Sequence, residues 1–196
     1  MRAMKLYGIA IDDVRDIFGA PPERAEELGR VAAARFPAPP MKRRWGLFKR
    51  DPAMEIDPEQ PLPTDVAALL AGEFIPPERL GQSWRILDAW LEELSAGHVS
   101  LSYDSLDGIE FDLARRGLPS THSVRRLGER SLGIPLRDAP GMMTGYSHHS
   151  HAIATRDALA TIDADTLQER TRDVVEPLLR FLEQLAAGAD VVVIDS

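Results

Sequence analysis

The chain contains no cysteine. That excludes disulfides, thiolate metal sites and cysteine nucleophiles, and it fits a reducing compartment. No apolar run approaches the roughly 20 residues that span a bilayer. The start, Met1-Arg2-Ala3-Met4-Lys5-Leu6, is positive, but no apolar stretch of signal-peptide kind follows it. A cytoplasmic location without membrane attachment is therefore expected. Catalytic templates are missing as well. The chain has no G-x-x-x-x-G-K-[ST] phosphate loop, no G-x-G-x-x-G fingerprint, no G-x-S-x-G elbow and no H-E-x-x-H. Ser150 between His149 and His151 makes no triad, because adjacency in sequence is not the required geometry. Pairs such as Asp104 with Asp107, or Glu110 with Asp112, are ordinary in an acidic chain.

What is present is an ordinary globular composition with an acidic balance. The 196 residues are 44% hydrophobic and 28% charged. A chain of this length buries roughly 70% of the surface its unfolded form exposes, so it needs no covalent staples. Acidic residues number 31 against 23 basic, a formal charge of −8. That balance argues against a nucleic-acid binder, which needs a basic face.

Periodicity yields most of the elements. Leu6–Ala10 reads as a strand, and Asp12 or Asp13 caps a short helix burying Val14, Ile17 and Phe18, with Gly19 as its stop. Pro21 and Pro22 open a helix carrying Ala25, Leu28, Val31 and Ala32 at helical spacing. Thr64 caps the next, stopped by Gly72. Pro77 then opens a longer one, whose Leu80, Trp84, Leu87, Leu91 and Leu94 form one buried stripe. Trp84 and Trp90 read as core residues. Val99, Leu101 and Tyr103 alternate with serines, and Ile109, Phe111 and Leu113 alternate with acids around Asp107-Gly108, which predicts a hairpin. Ser120–Arg130 reads as a further helix, whose arginines pair with the surplus carboxylates. Ile134–Pro140 is an extended connector, and Gly141–Ser147 a strand. Asp165 with Gln168 makes a capping box for a last helix striped by Leu167, Thr171, Val174, Leu178, Leu182 and Leu185. Pro177 should kink that helix or divide it. Val191–Ile194 is apolar at every position, the pattern of a central strand covered on both faces. The order predicts a single α+β domain over residues 1–196, with a small β-sheet packed against several helices.

Residues 41–63 have no period and several prolines, and read as a long surface loop. Within it, Lys42, Arg43, Arg44, Trp45 and Phe48 form a basic-aromatic contact patch, or else the aromatics tuck the loop onto the core. The densest chemistry is Tyr146-Ser147-His148-His149-Ser150-His151, the candidate binding cluster. If it is extended, His149 and His151 share a face and can hold a divalent metal such as zinc; if helical, His148 and His151 share one. No third ligand stands at motif spacing, so the expectation is no cofactor, with a metal site as the alternative.

Three features together resemble the YfbM-like family of small bacterial proteins. They are the opening Leu6–Ala10 with its following acidic-capped helix, the connector from Ile134-Pro135 to Gly145-Tyr146, and the closing helix with Gly188 and Val191–Ile194. The resemblance implies an α+β fold with a small mixed sheet, and no established reaction or site residues. Its members are similar to small proteins found near bacterial toxin genes, which implies an immunity-type or partner-binding role. The expected function is thus a non-enzymatic protein-binding module that occludes a basic partner such as a toxin. A metal-dependent enzyme or metal binder using His148, His149 and His151 is the alternative. A dimerising subunit is a third reading.

Overall fold

The computed structural model describes residues 2–37 and 59–196. Its strands are β1 (Arg2–Gly8), β2 (His98–Tyr103), β3 (Met143–Ser147) and β4 (Val191–Asp195). They form one sheet in the order β2-β1-β4-β3, and each pairing is antiparallel. The family resemblance implied a mixed sheet, and this is corrected. The helices after β1 leave from its Gly8 end and return to that same end, where His98 faces Tyr7, so β2 must run back the other way.

Helices cover both faces. Leu6, Leu101 and Val193 point towards α5 (Leu106–Arg115), α6 (His149–Ala160) and α7 (Glu169–Glu183). Tyr7, Val192, Ile194 and Tyr146 point towards α1 (Ile11–Arg15), α2 (Pro22–Arg35), α3 (Pro63–Ala71) and α4 (Leu80–Leu94). Successive side chains of a strand alternate between faces, so β4 feeds both apolar clusters and has no position to spare for a polar residue before its end. The α+β class and the central, apolar β4 are as the sequence implied. So are the buried stripe of α4 and the core placement of Trp84 and Trp90. Each indole N–H reaches a carbonyl at 2.8 Å, Trp84 that of Arg137 and Trp90 that of Leu28.

Several local expectations are corrected. The second hairpin strand, Ile109–Leu113, is part of α5. Ser105 caps it by accepting the Gly108 N–H at 3.2 Å, and Ile109 and Leu113 are buried one helical turn apart. Phe111, which alternation placed beside them, is 63% exposed on the far side. Ser120–Arg130 forms two short 3-10 turns, Ser120–His122 and Val124–Gly128, not an α-helix. Of the two expectations for Pro177, division is corrected: α7 is continuous around it. The carbonyl it leaves unpaired belongs to exposed Asp173, where water can serve.

The predicted caps moved most. Asp12 and Asp13 lie inside α1; the carboxylate that accepts the Ile11 N–H is Asp190, at 3.1 Å. Thr64 is not the cap of α3, since Leu62 is the N-cap and its N–H goes to Asp65 at 2.7 Å. The Asp165–Gln168 box does not form. Gln168 is itself the N-cap of α7, and its N–H is taken by Asp112 of α5 at 2.9 Å. Most of the expected 41–63 loop, with the patch Lys42, Arg43, Arg44, Trp45 and Phe48, lies outside the described residues.

Candidate functional site

The strands' registers build a cleft at the end of the sheet. Asp195, the last residue of β4, faces Met4 of β1 on one side and Met143 of β3 on the other. It projects on the α5–α7 face, where Leu106 and the 3-10 turn Val124–Gly128 stand over it without closing the space. The resulting cleft holds about 480 Å³. Met4, Leu106, Val124, Met143 and Val193 give it apolar walls, and Arg125, Arg126, Glu129 and Asp138 stand round its rim. The arginines are already engaged: Arg125 with Asp107 at 2.5 Å, and Arg126 with Glu129. The expected pairing of arginines with carboxylates holds for this pair.

Asp195 is only 1% exposed. Its Oδ1 accepts the Tyr103 hydroxyl at 2.6 Å and lies 3.4 Å from the Arg2 guanidinium. Burial, and then the bond to Asp195, push the Tyr103 phenol well above its ordinary range. Tyr103 therefore stays protonated and remains a donor. Arg2 is held in turn by the Gly141 carbonyl at 2.9 Å. The other oxygen, Oδ2, is buried and has no hydrogen-bond partner among the described residues. An unmet buried carboxylate oxygen costs more than most contacts return, so its presence at the lining of a cleft is a functional signal. The sequence carried one hint of it, the acid that directly ends the apolar run Val191–Ile194.

A second hollow of about 470 Å³ adjoins the first and shares Ser123, Arg125 and Arg126 with it. Exposed Phe111 and Ala114, with buried Leu118, form its apolar shelf, beside Asp107 and Glu110.

The histidine cluster does not converge. The segment is helical, with His148 as the N-cap of α6. His149 and His151 therefore stand about 200° apart around the helix, and the shared face of a His-x-His strand pair does not exist. His148 lies edge-on to Tyr146 at 5.1 Å, with Nδ1 3.5 Å from Asp190. His149 gives its backbone N–H to Asp190 at 3.0 Å, and its Nδ1 lies 2.9 Å from the Ala189 carbonyl. A carbonyl only accepts, so that nitrogen carries the proton. His151 turns away to stack on His122, ring centroids 5.6 Å apart. Burial, then the His122 and arginine charges, hold its pKa below the usual histidine value. Nor do His148 and His151 share a ligand position, since their rings have different neighbours. Among the described residues no three of His, Asp and Glu are grouped to hold a metal. Tyr146 is buried on the α1–α4 face, with the Arg15 guanidinium 5.6 Å from its ring. The cluster's carboxylate, Asp190, joins the N-termini of α1 and α6. No helix among the described residues is long and apolar enough to cross a membrane.

No protein-family model, curated protein or solved structure matches the chain.

Proposed function

We infer that the chain is a protein-binding module and that its site is the cleft at Asp195. The observation that carries the reading is the buried Asp195 Oδ2, without a partner among the described residues, in a cleft with apolar walls. A carboxylate accepts and does not donate, so the missing group is a donor, best a cation. Only one oxygen lacks a partner, because Tyr103 and Arg2 occupy the side of Oδ1. A single such oxygen suits the point charge of a lysine ammonium better than the two-pronged guanidinium of arginine. The apolar walls suit the methylene stem that carries that ammonium. The adjoining Phe111 shelf continues the surface, as a polypeptide partner would require. The charge of −8 steers a basic protein towards such a site. An immunity-type role against a basic toxin is one form this activity would take.

The test is a titration of labelled protein with lysine-containing peptides, with norleucine and arginine versions as controls. Methyl resonances of Met4, Met143, Leu106 and Val193 should shift with the lysine peptide and little with norleucine. Asp195→Asn keeps the shape and should weaken binding by about 2–5 kcal/mol. Association should slow as salt shortens the screening length below about 10 Å. Equal binding of lysine and norleucine peptides would remove the ammonium from the reading.

A further inference from the structure

The two edges of the sheet are built differently. The outer edge of β3 is covered at Tyr146. Arg130 pairs with Tyr146, giving its N–H to the Tyr146 carbonyl at 3.3 Å and accepting the Tyr146 N–H at 2.8 Å. Among the described residues, the outer edge of β2 has no such cover. Its orientation follows from the neighbouring bonds. Gly8 donates to the Gly97 carbonyl, and Ala3 exchanges both bonds with Ser196. Even-numbered residues of β1 therefore bond to β2 and odd-numbered ones to β4. By the β1–β2 register, Val99, Leu101 and Tyr103 bond inward. His98, Ser100 and Ser102 must then point their N–H and C=O groups outward. Their side chains are exposed too.

We propose that this edge is a homodimer interface, in which β2 pairs antiparallel with β2 of a second copy about a twofold axis at Ser100. That register is set by the backbone. Only with Ser100 opposite Ser100 do all three outward-facing residues become hydrogen-bonded pairs, His98 with the second copy's Ser102 and the reverse. Each such pair makes two bonds. The side chains agree with it. Ser100 meets Ser100 and His98 meets Ser102 on the side where β2 is exposed, while Val99 meets Leu101 on the side of the α5–α7 layer. An isologous interface requires this self-complementarity. Edge strands of monomers are usually blunted by charge, proline or a bulge. The run His98-Val99-Ser100-Leu101-Ser102-Tyr103 has no charged acid or base other than a histidine, and no proline. It pairs with β1 without interruption over its full length. Like charges that would repel a second copy are thus absent from the strand itself. The product is a continuous sheet running through both copies.

Sedimentation equilibrium of the full chain should show a mass rising with concentration from 21.7 kDa towards twice that value. Ser100→Lys sets two ammonium groups against each other at the axis, and Ser100→Pro removes an outward N–H without touching the β1 ladder. Both should lose the doubled mass while keeping the far-UV spectrum. The cysteine-free chain allows a third measurement. Ser100→Cys should form an interchain disulfide faster on mild oxidation than Thr161→Cys at the exposed end of α6, since Cα atoms of such a pair stand about 5.5 Å apart. A wild-type mass that stays at 21.7 kDa at every attainable concentration overturns the proposal. So does a doubled mass untouched by Ser100→Lys, or a Ser100→Cys chain that cross-links no faster than the control.

Discussion

Three buried or half-buried carboxylates do work that their local sequence does not announce. Asp190 accepts from Ile11 and His149, and so ties the starts of α1 and α6 together. Asp195 ends an apolar strand inside a cleft. Asp112, 2% exposed, caps α7 from 56 residues away. Replacing Asp112 by Ala should cost about 1–3 kcal/mol, because the Gln168 N–H is left without its acceptor. The cost has a pH signature. Burial alone would raise the Asp112 pKa, but the Gln168 N–H and the Arg116 charge outweigh it and hold the carboxyl below its ordinary range. A depressed folded pKa means stability that is fully present above the unfolded value of about 3.9 and lost as pH falls through the folded one. Urea unfolding should therefore separate wild type from Asp112→Ala near neutral pH, with the gap closing in acid. A gap independent of pH would mean that the carboxylate's charge is not what caps α7.

At the scale of elements, β3 shows how a covering segment constrains sequence. A Cβ on Gly145 would overlap the Gly128 carbonyl oxygen, and the Arg130 carbonyl lies close behind. Both are backbone atoms of the segment that covers the edge, so neither can swing aside. Gly→Ala within a strand usually helps by roughly 0.5–1 kcal/mol. At Gly145 it should cost about 1–3 kcal/mol or more, as in overpacked cores. Gly97→Ala is the control, because a Cβ there meets nothing within 4 Å. Thermal melts of the two variants should move in clearly different degrees. Equal shifts would show that the Arg130 segment yields easily.

At the scale of the whole molecule, the sheet is common to two apolar layers. Leu87 of α4 lies in one and Leu182 of α7 in the other, and both are fully buried. Each change to Ala should cost about 2–5 kcal/mol. β1 and β4 send alternate side chains into both layers, so loss of one layer strips the other of its support. Trp84 and Trp90 lie in the α1–α4 layer, whereas far-UV circular dichroism reports helices of both. Leu182→Ala, in the opposite layer, should lower the fluorescence midpoint as much as the dichroism midpoint. Separate midpoints would mean that the layers melt independently.

The sequence by itself determined what depends on neighbours along the chain. The stripe of α4, the glycine stop at Gly72, and the irregular connector at Ile134–Pro140 were legible because period and backbone preference are local. So was the central place of β4, since only a strand covered twice tolerates four apolar residues in a row. Tertiary structure decided the rest. Ile109–Leu113 satisfies both a period of two and a turn of helix, and the Ser105 cap with the core beneath Ile109 and Leu113 settled it as α5. Donors at the starts of α1, α6 and α7 took whichever carboxylate the fold brought near, Asp190 or Asp112. The histidines, adjacent in sequence, were spread by the helix towards Tyr146, Ala189 and His122. The cleft at Asp195 draws on all of β1, β3, β4 and the Val124–Gly128 turn, segments that share no local pattern. A site made by strand register can be read only once the strands are paired.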